Sequence, residues 1–177
     1  TDLDTSFYVG MPVGLETHDG KNYNKGDDTE TYPPERSPYI SYMHDRYRKN
    51  TDPYIDMDLV SYSEVEFLLA EAAMRGGFSV NGTAEEHYKN GIKASLNKWG
   101  INDGANGFNF NTYYSQPNVN YTSASNKLER IMGQKWISLY LHVEAWFDWR
   151  RTGYPDLKTG PVAGFGAALP IRFMYPE

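Results

Sequence analysis

The 177-residue sequence contains no cysteine. Disulfides, thiolate metal sites and cysteine nucleophiles are thereby excluded. Positive charge is also in short supply. Lys and Arg number 17 against 23 Asp and Glu, a net charge of −6. A nucleic-acid binder needs a basic face to displace counterions, so that class is set aside. No run approaches the ~18 apolar residues of a membrane-spanning helix. The four histidines, His18, His44, His87 and His142, form neither H-x-H nor H-E-x-x-H. The chain opens Thr1-Asp2-Leu3, with neither methionine nor signal peptide, which reads as a processed or truncated start.

Aromatics are abundant instead, and tyrosine leads with 15 copies. Tyrosine joins a flat apolar face to one polar handle, which suits surfaces that meet polar ligands. Residues 1–62 are broken by Pro12, Pro33, Pro34, Pro38 and Pro53 and read as a loop-rich segment packing on a helical part, 63–177. Order is expected from Ser63. The stretch Ser63-Glu-Val-Glu66 reads as a capping box. The helix it opens would bury a stripe of Val65, Leu68, Leu69, Ala72 and Ala73, and Gly76-Gly77 would end it. A second capping box, Thr83-Ala-Glu-Glu86, opens a helix with Tyr88, Ile92, Ser95, Leu96 and Trp99 on one face, stopping at Gly100. The short connection predicts an antiparallel pair. The spacing Ala84-x3-Tyr88-x3-Ile92 is close to the second helix of a tetratricopeptide-type pair, with the alanine allowing close approach. Residues 101–124 read as polar and turn-rich. One last helix is expected from about Ser125 to Thr152, roughly 40 Å long with room for a bend near His142, closed by Gly153 and Pro155.

Catalytic patterns are weak. His142-Val-Glu144 lacks the cysteines of a zinc deaminase, and His142 reads as a helix-surface residue. Gly77-Phe-Ser79-Val-Asn81 follows a helix rather than a strand, so it is no nucleophile elbow. The stretch 164–169, GFGAAL, lacks the third glycine of a dinucleotide fingerprint. Glu144 and Asp148 share one helix face and cannot flank a glycosidic bond. No catalytic residue and no cofactor is assigned. The loops 19–28 and 102–109 offer hard oxygen ligands that would suit at most a structural calcium, without the EF-hand pattern. Glu71 interrupts an apolar stripe, and a half-buried carboxylate needs a cation. Glu71 or Asp148 is therefore expected to pair with Arg150 or Arg151. On this reading Trp146-Phe-Asp-Trp-Arg-Arg-Thr-Gly153 is a docked helix end, with rings inward and charges paired.

Four blocks carry a resemblance: SYSEVEFLLAEAAMRGG (61–77), AEEHYKNGIKASLNKWG (84–100), IMGQKWISLYLHVEAWFDWRRTGYPDL (131–157) and LPIRFMYPE (169–177). In order and spacing, with Gln134-Lys135-Trp136 and Arg150-Arg151-Thr152-Gly153 as signatures, they resemble the C-terminal part of the SusD/RagB family. The resemblance covers 61–177 well and 1–60 loosely. It implies a mainly α fold of tetratricopeptide-like helix pairs, an α-α superhelix with long irregular loops, and a chain that is a fragment of one larger domain. It further implies a non-enzymatic, lipid-anchored outer-membrane protein of Bacteroidetes-type bacteria, its anchor absent from this chain. Such a protein captures oligosaccharide, or sometimes peptide, for a SusC-like TonB-dependent transporter in polysaccharide utilisation. Against that role stands an interaction scaffold docking on the transporter without a sugar site of its own. A fragment of a larger domain is also expected to expose apolar area. The sugar-contact candidates are rings expected to stand exposed in polar loops: Phe108, Tyr113, Tyr114 and Tyr121, then Tyr23 and Tyr32, with Asn111 and Asn118 as hydrogen-bonding neighbours.

Overall fold

A computed structural model of the chain describes residues 58–157. Tyr23, Tyr32, the calcium-candidate loop 19–28 and the division at residue 62 from a loop-rich N-terminal part lie in whole or in part outside the described residues. Among the described residues the structure is helical, without strands. The elements are α1 (Tyr62–Arg75), α2 (Ala84–Lys98), a 3-10 turn (Ala105–Gly107), α3 (Phe110–Tyr114), α4 (Lys127–Ser138) and α5 (Glu144–Thr152). No helix among them is long and apolar enough to cross a membrane.

The cap of the first helix stands two residues before the expected one. Ser61 is the N-cap, and its hydroxyl accepts from the Glu64 amide at 3.1 Å. Ser63 sits inside the first turn and is buried. Glu66 does not reach back to the cap; it turns across to α2. The buried face also differs from the expected stripe. Val65 and Leu68 are exposed, while Ser63, Glu64, Glu66, Phe67, Ala70 and Glu71 are buried. Hydrophobic periodicity misled here because two of the face positions carry carboxylates that find partners. Gly76, at φ 73°, ends the helix in a conformation open to glycine.

The second capping box forms as read. Thr83 Oγ1 accepts from the Glu86 amide at 3.1 Å, and Glu86 Oε2 accepts from the Thr83 amide at 2.7 Å. Tyr88, Ile92 and Ser95 are buried, Leu96 is partly buried, and Trp99 at the C-cap is exposed. Glu66 meets His87 near the start of α2, while Asp58, just before α1, pairs with Lys98 at the end of α2, so the two helices run antiparallel. The helices approach closely at Gly91. A Cβ built on Gly91 would stand 3.0 Å from three ring carbons of Phe67.

The stretch expected to be a polar loop holds a short helix. Asn109 caps α3 by accepting from the Thr112 amide at 2.9 Å, and Asp103 accepts from the Phe110 amide at 2.8 Å. α3 then presents Phe110 and Tyr114 to the core on adjacent turns. The core gathers Phe67 and Ala70 of α1, Tyr88 and Ile92 of α2, Phe110 and Tyr114 of α3, Val119, and Ile131 and Met132 of α4. Tyr88 stands at its centre, with ring centroids of Phe67 at 6.1 Å, Tyr114 at 6.3 Å and Tyr121 at 5.5 Å.

The single last helix is instead two. α4 ends at Ser138, whose hydroxyl donates to the Lys135 carbonyl at 2.8 Å. Leu141 takes φ 68°, which no α-helix continues. His142 therefore lies in the turn between helices, its amide donating to the Leu139 carbonyl at 2.8 Å. α5 begins after Val143, which makes no side-chain cap. Gly153, at φ 77°, closes it as expected.

Candidate functional site

The charged end of α5 is built around Arg151. Its guanidinium forks onto Glu71 of α1, with Nη1–Oε1 at 2.6 Å and Nη2–Oε2 at 2.7 Å. Nη2 also donates to Asp148 Oδ1 at 2.8 Å. Arg75 donates from Nε to Glu71 Oε1 at 2.8 Å. Bidentate geometry makes this a strong class of charged hydrogen bond. The Arg151 fork, against a smaller cost of burial, holds the Glu71 carboxyl below the usual carboxylate range. Asp148 takes a further cation, Lys135 Nζ at 2.6 Å, a lysine that is only 2% exposed. Of the four residues expected in ion pairs, three meet in this network. Arg150 does not; its guanidinium lies over the Trp146 ring, 4.8 Å from the centroid. The network welds α1, α4 and α5 together and leaves Glu144 exposed and outside it.

The four candidate sugar rings in the described region are not free rings in loops. Tyr114 is 8% exposed and belongs to the core. Its hydroxyl donates to Glu85 Oε1 at 2.8 Å and accepts from the Tyr121 amide at 3.2 Å. Burial, assisted by Glu85, pushes its phenol up to about 12. Phe108, Tyr113 and Tyr121 are partly buried against the same core. For Tyr113 and Tyr114 the physical reason is α3: a helical turn puts ring faces inward that a loop would have left out. Asn111 and Asn118 are exposed. Asp103, the one carboxylate of the calcium-candidate loop 102–109, accepts from the Phe110 amide. Among the described residues no group of three or more acidic or histidine side chains gathers to hold a metal.

Ligand-sized space lies elsewhere. An open groove of about 460 Å³ runs along α4, lined by Asn118, Asn126, Glu129, Arg130 and Gln134, with Ile137 and Pro155 on its apolar side. Two of its lining amides are held by tyrosine hydroxyls. Tyr113 donates to Gln134 Oε1 at 3.2 Å, and Tyr154 accepts from Asn126 Nδ2 at 2.7 Å. Arg130 lines the groove, and its Nη1 is buried without a hydrogen-bond partner on a side chain whose charge also acts on Tyr88 of the core. Such a group calls for an acceptor from water or ligand. Amides, a carboxylate and a guanidinium at one groove form a kit for binding hydroxyls. A second groove, about 540 Å³, runs from Asp58 and Tyr62 to Lys98. Asp58 and Lys98 pair with each other across it, and it holds no buried orphan. The α4 groove is therefore the better candidate. Sequence reading missed Arg130, Glu129 and Asn126 because each looks like an ordinary solvated helix residue. Gln134 carried a signal through the Gln134-Lys135-Trp136 signature, and Asn118 was already among the expected hydrogen-bonding neighbours. A separate apolar cluster stands exposed where α2 ends and α4 turns into α5: Trp99, Ile101, Tyr140, Leu141 and Val143, with the Trp99 and Tyr140 rings edge to face at 6.2 Å.

Comparison with known proteins agrees with this helical frame. No curated protein matches the chain. Among solved structures, a SusD homologue from Bacteroides fragilis NCTC 9343 aligns with a TM-score of 0.61 and 30% identity, covering 92% of this chain and 37% of that one. A Bacteroidetes AC2a SusD-like structure aligns with a TM-score of 0.55 and 30% identity, covering 65% of this chain and 23% of that one. This chain thus spans well under half the length of either. The family model described as "SusD-like, starch-binding associating with outer membrane" matches residues 4–176. With nearly its whole length matched by that model, and its helices laid out as in SusD homologues, the chain belongs to the SusD-like family.

Proposed function

We propose that the chain is part of a non-catalytic glycan-binding component of an outer-membrane nutrient-uptake complex. The observation that carries this reading is the match of residues 4–176 to a family described as starch-binding and associated with the outer membrane. The α4 groove supplies a place for it: Gln134, Asn126 and Glu129 for sugar hydroxyls and Arg130 for an additional acceptor. The ligand is held and passed on, not cleaved. Glu144 and Asp148 share α5, and Asp148 is tied to Lys135 and Arg151, so they do not flank a bond to be hydrolysed. On this reading the protein faces outward at the outer membrane, lipid-anchored, and hands its ligand to a SusC-like TonB-dependent transporter.

Native affinity electrophoresis through gels carrying soluble starch and other polysaccharides tests this. The chain is expected to be retarded by one of them. Gln134→Ala should weaken that retention about tenfold, the equivalent of roughly 1.4 kcal/mol for lost hydrogen bonds. Retention that Gln134→Ala leaves unchanged would move the site out of the α4 groove. Absence of retention on every polysaccharide would favour a second reading, a scaffold that docks on the transporter. The exposed cluster of Trp99, Ile101, Tyr140, Leu141 and Val143 is the observation behind that alternative.

A further inference from the structure

His87 is bracketed by two hydrogen-bond acceptors. Its Nδ1 lies 2.7 Å from Glu66 Oε2 on α1, and its Nε2 lies 2.7 Å from the main-chain carbonyl of Asn81. A carbonyl only accepts. An ionised carboxylate only accepts. A neutral imidazole has one N–H and can satisfy only one of them, leaving a lone pair against an oxygen at the other. Two proton arrangements satisfy both contacts. Either His87 is an imidazolium facing a carboxylate, or the proton sits on Glu66 and is donated to Nδ1.

The surroundings decide between these. The Tyr62 hydroxyl donates to the other oxygen, Glu66 Oε1, at 2.5 Å. Burial opposes the charge on Glu66, but the Tyr62 bond and the His87 contact outweigh it and favour the ionised carboxylate, so the proton belongs on the ring. The charged and titratable groups that face the ring among the described residues are Glu66 and Tyr62 of α1 and Glu86 of α2, with Lys89 acting on Glu86. Burial pulls the imidazole downward. The bonds to Glu66 and Asn81 and the charges of Glu66 and Glu86 outweigh it, and the net displacement is upward from 6.5.

We propose that protonated His87 is a pH-dependent latch that fastens the α1–α2 connection, residues 76–83, to the helix pair. The imidazolium ties three pieces together: the ring on α2, the carboxylate on α1 and the carbonyl of the connecting turn. Loss of one proton forfeits one of the two bonds. The carboxylate keeps the remaining N–H because it is the stronger acceptor, so the turn is the part released. The turn is shaped for this contact. Gly82 has φ 97°, and a Cβ there would stand 3.2 Å from His87 Nε2 and 3.4 Å from Glu86 Oε2. Any other residue at position 82 would crowd the ring that the Asn81 carbonyl approaches. The latch is closed in acidic to neutral surroundings and opens as pH rises through the His87 value. In strong acid Glu66 takes up its proton and the contact to α1 weakens, while Nε2–H keeps the Asn81 carbonyl.

Nitrogen-15 NMR of the full chain reads both ring nitrogens directly. At pH 6.5 both His87 nitrogens are expected at imidazolium shifts. The ring should titrate above 6.5, and the Gly82 amide, which shares a peptide unit with the Asn81 carbonyl, should move with the same midpoint. Glu66→Gln removes the carboxylate and should shift the His87 midpoint downward. Gly82→Ala displaces the carbonyl from the surface side and should shift it downward too, without touching the core. A His87 midpoint at or below 6.5 would overturn the proposal. So would a Gly82 amide that ignores the His87 titration, or a midpoint unmoved in both variants.

Discussion

Tyr88 and Arg151 carry the most structural weight for single side chains. The Tyr88 hydroxyl donates to the Val119 carbonyl at 2.6 Å inside the core, and burial pushes its phenol well above the usual tyrosine range. Tyr88→Phe leaves that carbonyl without its donor and should cost about 1–2 kcal/mol in urea unfolding. Arg151→Met leaves the buried Glu71 carboxylate with Arg75 alone. Breaking a fully buried pair costs about 3–5 kcal/mol, but the Arg151 side chain is 46% exposed, so about 1–2 kcal/mol is expected. The sign with pH comes from the lowered Glu71 value. Its contribution is complete above the ordinary carboxylate range near 4.5 and is lost as pH falls through the folded-state value. Arg151→Met should therefore begin acid unfolding at a higher pH than the parent, followed by circular dichroism. That Glu71 would need a cation was legible in the sequence, because a carboxylate inside an apolar stripe demands one. That Lys135 would be buried against Asp148 was not. Nothing in a helical Gln-Lys-Trp marks which face will close.

A side-chain signal fixes the start of α2 in the sequence, but the same signal at Ser63 and Glu66 misplaces the start of α1. Thr83 and Glu86 form their box, and Gly76, Gly100 and Gly153 fall at helix ends with φ between 73° and 77°. The break at 139–143 is hidden because Val143 supplies no cap and the apolar spacing runs on through it. That spacing survives the break: Leu139 and Ala145 are buried on either side, while Tyr140, Leu141 and Val143 turn outward. Leu141 holds a left-handed conformation that costs a side-chain-bearing residue about 1–2 kcal/mol. Leu141→Gly should relieve it, offset in part by the unfolded-state entropy of glycine, for a net gain of about 0.5 kcal/mol. Gly91→Ala acts in the opposite sense. Its methyl would press on Phe67, which has no exposed surface to yield into, and should destabilise by about 1–3 kcal/mol in thermal or urea melts. The rings of 108–121 defeat sequence reading at this same scale. A five-residue helix, too short for a periodicity signal, decides which way Phe110, Tyr113 and Tyr114 face.

For the whole molecule, the mainly α, tetratricopeptide-like class was open to the sequence through its capping boxes and antiparallel pair, and the four resembling blocks named the family. The groove on α4 was hidden, because a groove is made by the gap between elements and not by any motif. The Glu71–Arg151 fork spans 80 positions of chain, whereas the Glu66–His87 contact spans 21. Closing the longer loop costs more chain entropy, though only by about 1.2 kcal/mol for two doublings. The antiparallel pair can therefore assemble from neighbouring sequence before α5 arrives, and the fork becomes the last bolt to be driven. A bolt absent from the folding transition state leaves the folding rate alone and governs how fast the native state is left. Arg151→Met should accordingly raise the unfolding arm of the chevron while leaving the folding arm in place, and the reverse pattern would put α5 docking at the start of folding. The persistence of the folded chain over time would then rest on a pair of charges at its last described helix, not on the aromatic core.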